Sequence, residues 1–166
     1  VELSAVRLLG QASRDWNIDE VEHSELLAWA ARLHEIGLAV AHSSFHKHGA
    51  YLVANSDLSG FSRQQQLVLA ALIRGHRRRF HVEVFATLPE RMREPAEKLC
   101  ILLRLAVLLH RGRSSLGRAA VNLVVDGRNL SARFPKGWVA KHPLTREELA
   151  QEADFLKTAG YVLEFS

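Results

Sequence analysis

Over the first two thirds of the chain the hydrophobic positions recur with helical period. Leu3, Val6, Leu9 and Ala12 form one stripe, and Leu26, Ala30, Leu33 and Gly37 form another on a helix predicted from Asp19 to Ala41. Ser44 is placed to cap a short helix carrying His48, Leu52 and Val53, and Ser62 with Gln65 makes a capping box ahead of Leu67, Ala70, Ala71 and Arg74. Pro95 stands near the start of a further helix whose Leu99, Leu102, Leu103, Ala106 and Leu109 cover much of its circumference. Such a helix suits either a buried central position or a subunit contact. After Gly117 the period changes to two: Val121, Leu123 and Val125 alternate with polar residues, Asp126-Gly127 supplies a turn, and Leu130, Ala132 and Phe134 alternate again. Thr145 with Glu148 reads as the capping box of a last helix, Gly160 is placed to stop it, and Tyr161 to Phe165 reads as a closing strand. The predicted fold is therefore mainly α, a bundle of four to six helices over residues 1–117 followed by a small ββαβ unit over residues 118–166. The second unit is too small to stand without packing on the first.

Composition narrows the class without naming a chemistry. At 166 residues and 48% hydrophobic content the chain can bury a real core, and its one cysteine, Cys100, sits in an apolar run and excludes an internal disulfide. No apolar run is long enough for a bilayer and Val1-Glu2-Leu3 does not resemble a signal peptide, so a cytoplasmic protein is expected. A start at Val1 inside a helical pattern suggests a piece of a longer protein. The formal charge of +4 only mildly favours a polyanionic partner.

The charge is concentrated, however. Arg74-Gly75-His76-Arg77-Arg78-Arg79 places four arginines within six residues at the end of a capped helix, more than its dipole alone accounts for. Guanidinium groups bind phosphate oxygens in bidentate fashion, so Arg74, His76, Arg77, Arg78 and Arg79, with Lys47, His46 and His48 as further contacts, are the candidate phosphate-binding residues. A solvated basic face is the plainer alternative. Arg111, Arg113, Arg118, Arg128, Arg133, Lys136 and Lys141 extend the basic supply into the second unit.

The run Trp29 to Gly37, with His34-Glu35 at a helix end and histidines about one helix further on, resembles the metal centre of HD-type phosphohydrolases, in which metal-activated water attacks phosphorus. The resemblance is incomplete. Glu35 replaces the aspartate with an acid one methylene longer, no histidine precedes His23, and in Leu102-Leu103-Arg104-Leu105-Ala106-Val107 a valine stands where the late aspartate belongs. His34 and Glu35 are accordingly read as a vestigial HD position with no metal, and His34, His46, His48 and His76 as structural or anion-facing in preference to metal ligands.

Longer motifs resemble another family. Leu33-His-Glu-Ile-Gly37, His46-Lys-His-Gly-Ala-Tyr-Leu-Val-Ala-Asn-Ser56, Leu58-Ser-Gly-Phe-Ser62, Arg74-Gly-His-Arg-Arg78 and Phe134-Pro-Lys-Gly-Trp138 are together similar to the C-terminal part of bacterial exopolyphosphatases, a family that includes guanosine pentaphosphate phosphohydrolases. The resemblance covers almost the whole chain. It implies an HD-domain-like bundle and a small α/β domain that bind inorganic polyphosphate and contribute to a homodimer. Catalysis and Mg2+ would belong to actin-like N-terminal domains, of which this sequence shows no glycine-rich phosphate loop. On this reading the chain carries no catalytic residue and no cofactor of its own, and it is inactive alone. The parent would release orthophosphate processively from polyphosphate, with a guanosine pentaphosphate preference left open. A free-standing or degenerate HD metal phosphohydrolase is the alternative enzyme. A nucleic-acid module is disfavoured, because Phe134 and Phe165 are expected in the core and few stacking platforms remain.

Overall fold

A computed structural model of the chain describes residues 1–111 and 121–166. Five helices come first: α1 (Glu2–Ala12), α2 (Glu20–Leu33), α3 (Phe45–Asn55), α4 (Arg63–Gly75) and α5 (Glu90–Arg111), with 3-10 turns at Ile36–Ala39 and Val82–Phe85. Then follow β1 (Asn122–Asp126), β2 (Asn129–Arg133), α6 (Trp138–Lys141), α7 (Pro143–Lys157) and β3 (Val162–Phe165). The chain is thus mainly helical with one small sheet. The expected boundary at Gly117 lies outside the described residues, as do Arg113 and Arg118.

Local chemistry sets most helix limits. Asp19 caps α2 by accepting from the Val21 and Glu22 amides, and Ser62 with Gln65 closes the full capping box of α4. The α2 helix ends at Leu33 rather than running on to Ala41. Its C-cap His34 turns Nδ1 to the Ala31 carbonyl at 2.7 Å, and beyond it a Cβ on Gly37 would lie 1.8 Å from the Phe45 carbonyl oxygen and 2.5 Å from the Gly49 amide nitrogen. The backbones of the 3-10 turn and α3 therefore meet where only glycine fits. Ser44 precedes α3 as expected, but it lies at φ 55 and its hydroxyl caps nothing.

Helix α5 begins at Glu90, five residues before Pro95, so the proline sits inside the helix and one intrahelical hydrogen bond is forgone. Every residue from Leu99 to Leu109 is buried. Of the two readings of this helix, the structure adopts the central one. The last helix starts at Pro143, whose missing amide costs nothing at that position, and Thr145 is buried within the first turn instead of capping it. The short α6 ahead of it was not foreseen.

In the sheet, β1 and β2 form an antiparallel hairpin pairing Leu123 with Ala132 and Val125 with Leu130, turned at Gly127 with φ 55. β3 then returns parallel to β2, Leu130 beside Leu163, after Gly160 at φ 79 has ended α7. The inward residues Leu123, Val125, Leu130, Ala132 and Leu163 share one core with Leu8, Leu27, Leu72 and Leu102 of the bundle. Full burial of such side chains is worth about 1.5–3 kcal/mol each, which explains how so small a sheet is held. Polar stitches add to it. Gln11 of α1 donates to the Val121 carbonyl and accepts from the Leu123 amide, and the Trp16 indole donates to the Gly127 carbonyl at 2.8 Å.

Candidate functional site

The arginine-rich segment leaves the C-terminus of α4 in a fixed shape. His76 is the C-cap of α4, only 2% exposed, and its Nδ1 lies 2.7 Å from the Ile73 carbonyl. Two residues later Arg78 adopts φ 63, a left-handed conformation costly for a side chain of this size. What holds it is Arg104, 2% exposed in the middle of α5. Its guanidinium donates to the Gly75 and Arg78 carbonyls, both at 2.6 Å, and forms two bonds with the Glu152 carboxylate of α7 at 2.5 and 2.8 Å. One buried arginine thus fixes both the helix end and the exit of the basic arm.

Two clefts flank that arm, and Arg77 and Arg78 line both. The first, of about 530 Å3, also takes His34, Glu35, Phe45, His76, Arg79, Val107, Arg111 and Glu148. The Arg77 guanidinium lies 4.4 Å from the centre of the Phe45 ring, and burial with Arg78 and Arg111 nearby lowers its pKa from the ordinary arginine value. The second cleft, of about 580 Å3, is lined by His46, Lys47, Arg74 and His81 besides the shared arginines, with Glu83 as its acid. The first is mixed in charge; the second is strongly basic.

The histidines gather around His76, whose ring centre is 5.3 Å from that of His34 and 6.5 Å from that of His46. Both His34 and His76 turn Nδ1 toward a backbone carbonyl, Ala31 and Ile73 respectively, which leaves Nε2 free to accept. Burial drives the His76 pKa down to about 3. His46 is driven down to about 4 by burial and by Arg74, Arg77, Arg78 and Lys47. Both imidazoles are neutral at neutral pH. Among the described residues no three His, Cys, Asp or Glu side chains form a group able to hold a metal.

Of the residues singled out in the sequence, the arm, His34, Glu35, His46, His76 and Lys47 meet at these two clefts, while His48 lines neither. Arg128 is committed elsewhere, donating to the Ala159 carbonyl and lying over the Tyr161 ring. Sequence reasoning missed Arg104, Glu148, Gln151 and Glu152 as lining residues. One signal was available: a lone arginine amid Leu102, Leu103, Leu105 and Ala106 implies a buried acid somewhere in the fold.

A family model described as Ppx/GppA phosphatase, domain III, matches residues 1–153, which include all of α5 and every residue lining the two clefts except Phe155. The chain belongs to the Ppx/GppA phosphatase family. A Ppx/GppA relative, the guanosine-5'-triphosphate,3'-diphosphate pyrophosphatase of Vibrio atlanticus (strain LGP32), is 35% identical over 166 residues, covering 98% of this chain and 32% of the relative. The chain therefore spans about a third of that protein's length. The Ppx/GppA match agrees with the resemblance carried by the His34, His46 and Arg74 motifs.

Proposed function

We propose that this domain holds a phosphoanhydride polyanion, inorganic polyphosphate, along the ridge formed by Arg77 and Arg78, as the substrate-binding region of a cytoplasmic exopolyphosphatase. The observation that carries the reading is that both arginines line two clefts at once, so a linear chain crossing the ridge meets Arg74 and Lys47 on one side and Arg79 and Arg111 on the other. Repeated guanidinium contacts suit a ligand whose anionic groups recur along its length. His34, His76 and Val107 share one cleft, which supports an HD-like pocket in which valine has taken a ligand's place. In the whole protein, catalysis and Mg2+ would belong to actin-like domains, with this region holding the chain between cleavages and contributing to a homodimer.

A second reading follows from the Vibrio relative, whose name specifies a guanosine nucleotide. The mixed first cleft, with Phe45, Glu148 and Gln151 beside its arginines, offers apolar and polar surface that a bare polyphosphate does not use.

Competition binding separates these readings. Labelled long-chain polyphosphate should be displaced by unlabelled polyphosphate far better than by single-stranded RNA of equal charge or by guanosine pentaphosphate. Preferential displacement by the nucleotide would favour the second reading, and equal displacement by RNA would reduce the arm to a general polyanion surface.

A further inference from the structure

The basic cleft beside α3 differs from an ordinary charged surface in its floor. His46 is 4% exposed, and its Nδ1 is buried with no hydrogen-bond partner. In either neutral tautomer that nitrogen is left with an unmet donor or an unmet lone pair, a cost of about 1–3 kcal/mol that native structures rarely carry without a reason. His46 also sits in the first turn of α3, an eleven-residue helix whose N-terminus has no side-chain cap and no acid in its first turn. Helix N-termini without a capping side chain present free amides and the positive end of the dipole, which suits an anion. Lys47 comes from the same helix, while Arg74, Arg77 and Arg78 face the cleft from the end of α4 and the arm. His81 stands at its far side with Glu83 3.8 Å away, and His76 packs behind the His46 ring.

We propose that this cleft is a seat for one phosphoryl group, in which the buried imidazole of His46 donates a hydrogen bond to the anion while Arg74, Arg77 and Lys47 neutralise its charge. The inference rests on the polyanion reading above and assigns within it one site and one buried contact. The imidazolium always carries a proton on Nδ1, so an arriving phosphoryl group turns the unmet atom into a matched donor. With the cleft empty, burial and the surrounding cations hold His46 neutral down to about pH 4. An anion in the seat cancels those cations and lets the ring take up a proton. Binding at this seat is therefore coupled to protonation of one named residue.

The linkage has a definite sign. If the bound anion returns His46 toward the ordinary histidine value of about 6.5, affinity rises as pH falls below that value, by about tenfold for each pH unit, and levels off near the free value. The test follows the His46 ring by NMR across this range in the intact chain, without and with saturating long-chain polyphosphate, whose few end groups contribute little titration of their own. The expected result is a ring neutral at about pH 6 when free and largely protonated when bound. Calorimetry in two buffers of different ionisation enthalpy should show net proton uptake that His46→Gln removes, with a thermal melt to show that the variant is folded. A His46 ring that stays neutral in a saturated complex, or uptake unchanged in a folded His46→Gln chain, overturns the seat while leaving polyphosphate binding intact. No binding at any pH overturns the polyanion reading itself, and the seat with it.

Discussion

Arg104 and Glu152 pair side-on deep between α5 and α7, and the same guanidinium holds the carbonyls of Gly75 and Arg78. Both partners are almost fully buried. A pair of this kind is weak evidence for net stability, but removal of one partner leaves an uncompensated charge in the interior. Arg104→Met should therefore destabilise the chain by about 3–5 kcal/mol, while Arg104→Met combined with Glu152→Leu should recover much of that loss. Chemical denaturation of the single and double variants checks both values. Equal instability of the two would mean that the carbonyl bonds, and not the charge pair, carry the effect.

The basic ridge gives a prediction about salt. Arg77→Glu with Arg78→Glu should weaken binding of long polyphosphate by about tenfold or more and flatten its dependence on salt, because fewer counterions are then released. Fluorescence titration over a range of ionic strength measures both. Wild-type affinity and slope in a folded double variant would show the arm to be a solvated helix terminus.

A tight backbone contact predicts an intolerant position. At Gly37 even the methyl group of alanine would meet backbone atoms, the Phe45 carbonyl at 1.8 Å and the Gly49 amide at 2.5 Å, and no rotamer relieves that. Gly37→Ala should cost several kcal/mol, toward the upper end for single substitutions, and push α3 away from the His34 turn. Gly60, with nothing near its Cβ position, should respond only through its φ of 94. Melting temperatures of the two variants should differ widely.

Acid should unfold the chain by way of His76. The ring is neutral in the native state with its pKa held near 3 by burial, whereas an unfolded histidine titrates near its ordinary value of 6.5. The unfolded state thus binds the extra proton between these values, so stability contributed by the neutral ring is full above about pH 6.5 and drains away as pH falls toward 3. A His76→Gln chain, if folded, should show a shallower loss of stability across that window. The same slope in wild type and variant would point to another group.

The sequence was most legible where patterning is local. The Ser62–Gln65 box, the apolar stripe of α5 and the hairpin around Asp126-Gly127 each announce themselves within a few residues, and the structure keeps them. It was least legible where a distant contact decides. The need for glycine at position 37 comes from the carbonyl of Phe45, on the next helix, which leaves no room for a Cβ. Thr145 and Glu148 have the spacing of a capping box, yet Pro143 starts the helix first. At the site, the arm was visible as a run of arginines, but the residues that shape it, Arg104 and Glu152, lie 26 and 74 positions beyond Arg78 and only the fold brings them to it.

The stitches between α1 and the hairpin have a consequence for the order in which the molecule can be assembled. Gln11 bonds to Val121 and Leu123, and Trp16 to the Gly127 carbonyl, across more than a hundred residues of intervening chain. Within this region α1 leaves the ribosome ahead of the hairpin, and at about 5–20 residues per second it waits several seconds before these partners appear. Throughout that interval α2 and later α5 supply the main cover of the first helix among the described residues. Final closure is reserved for the hairpin, so within this region the first helix to be made is among the last to be completed.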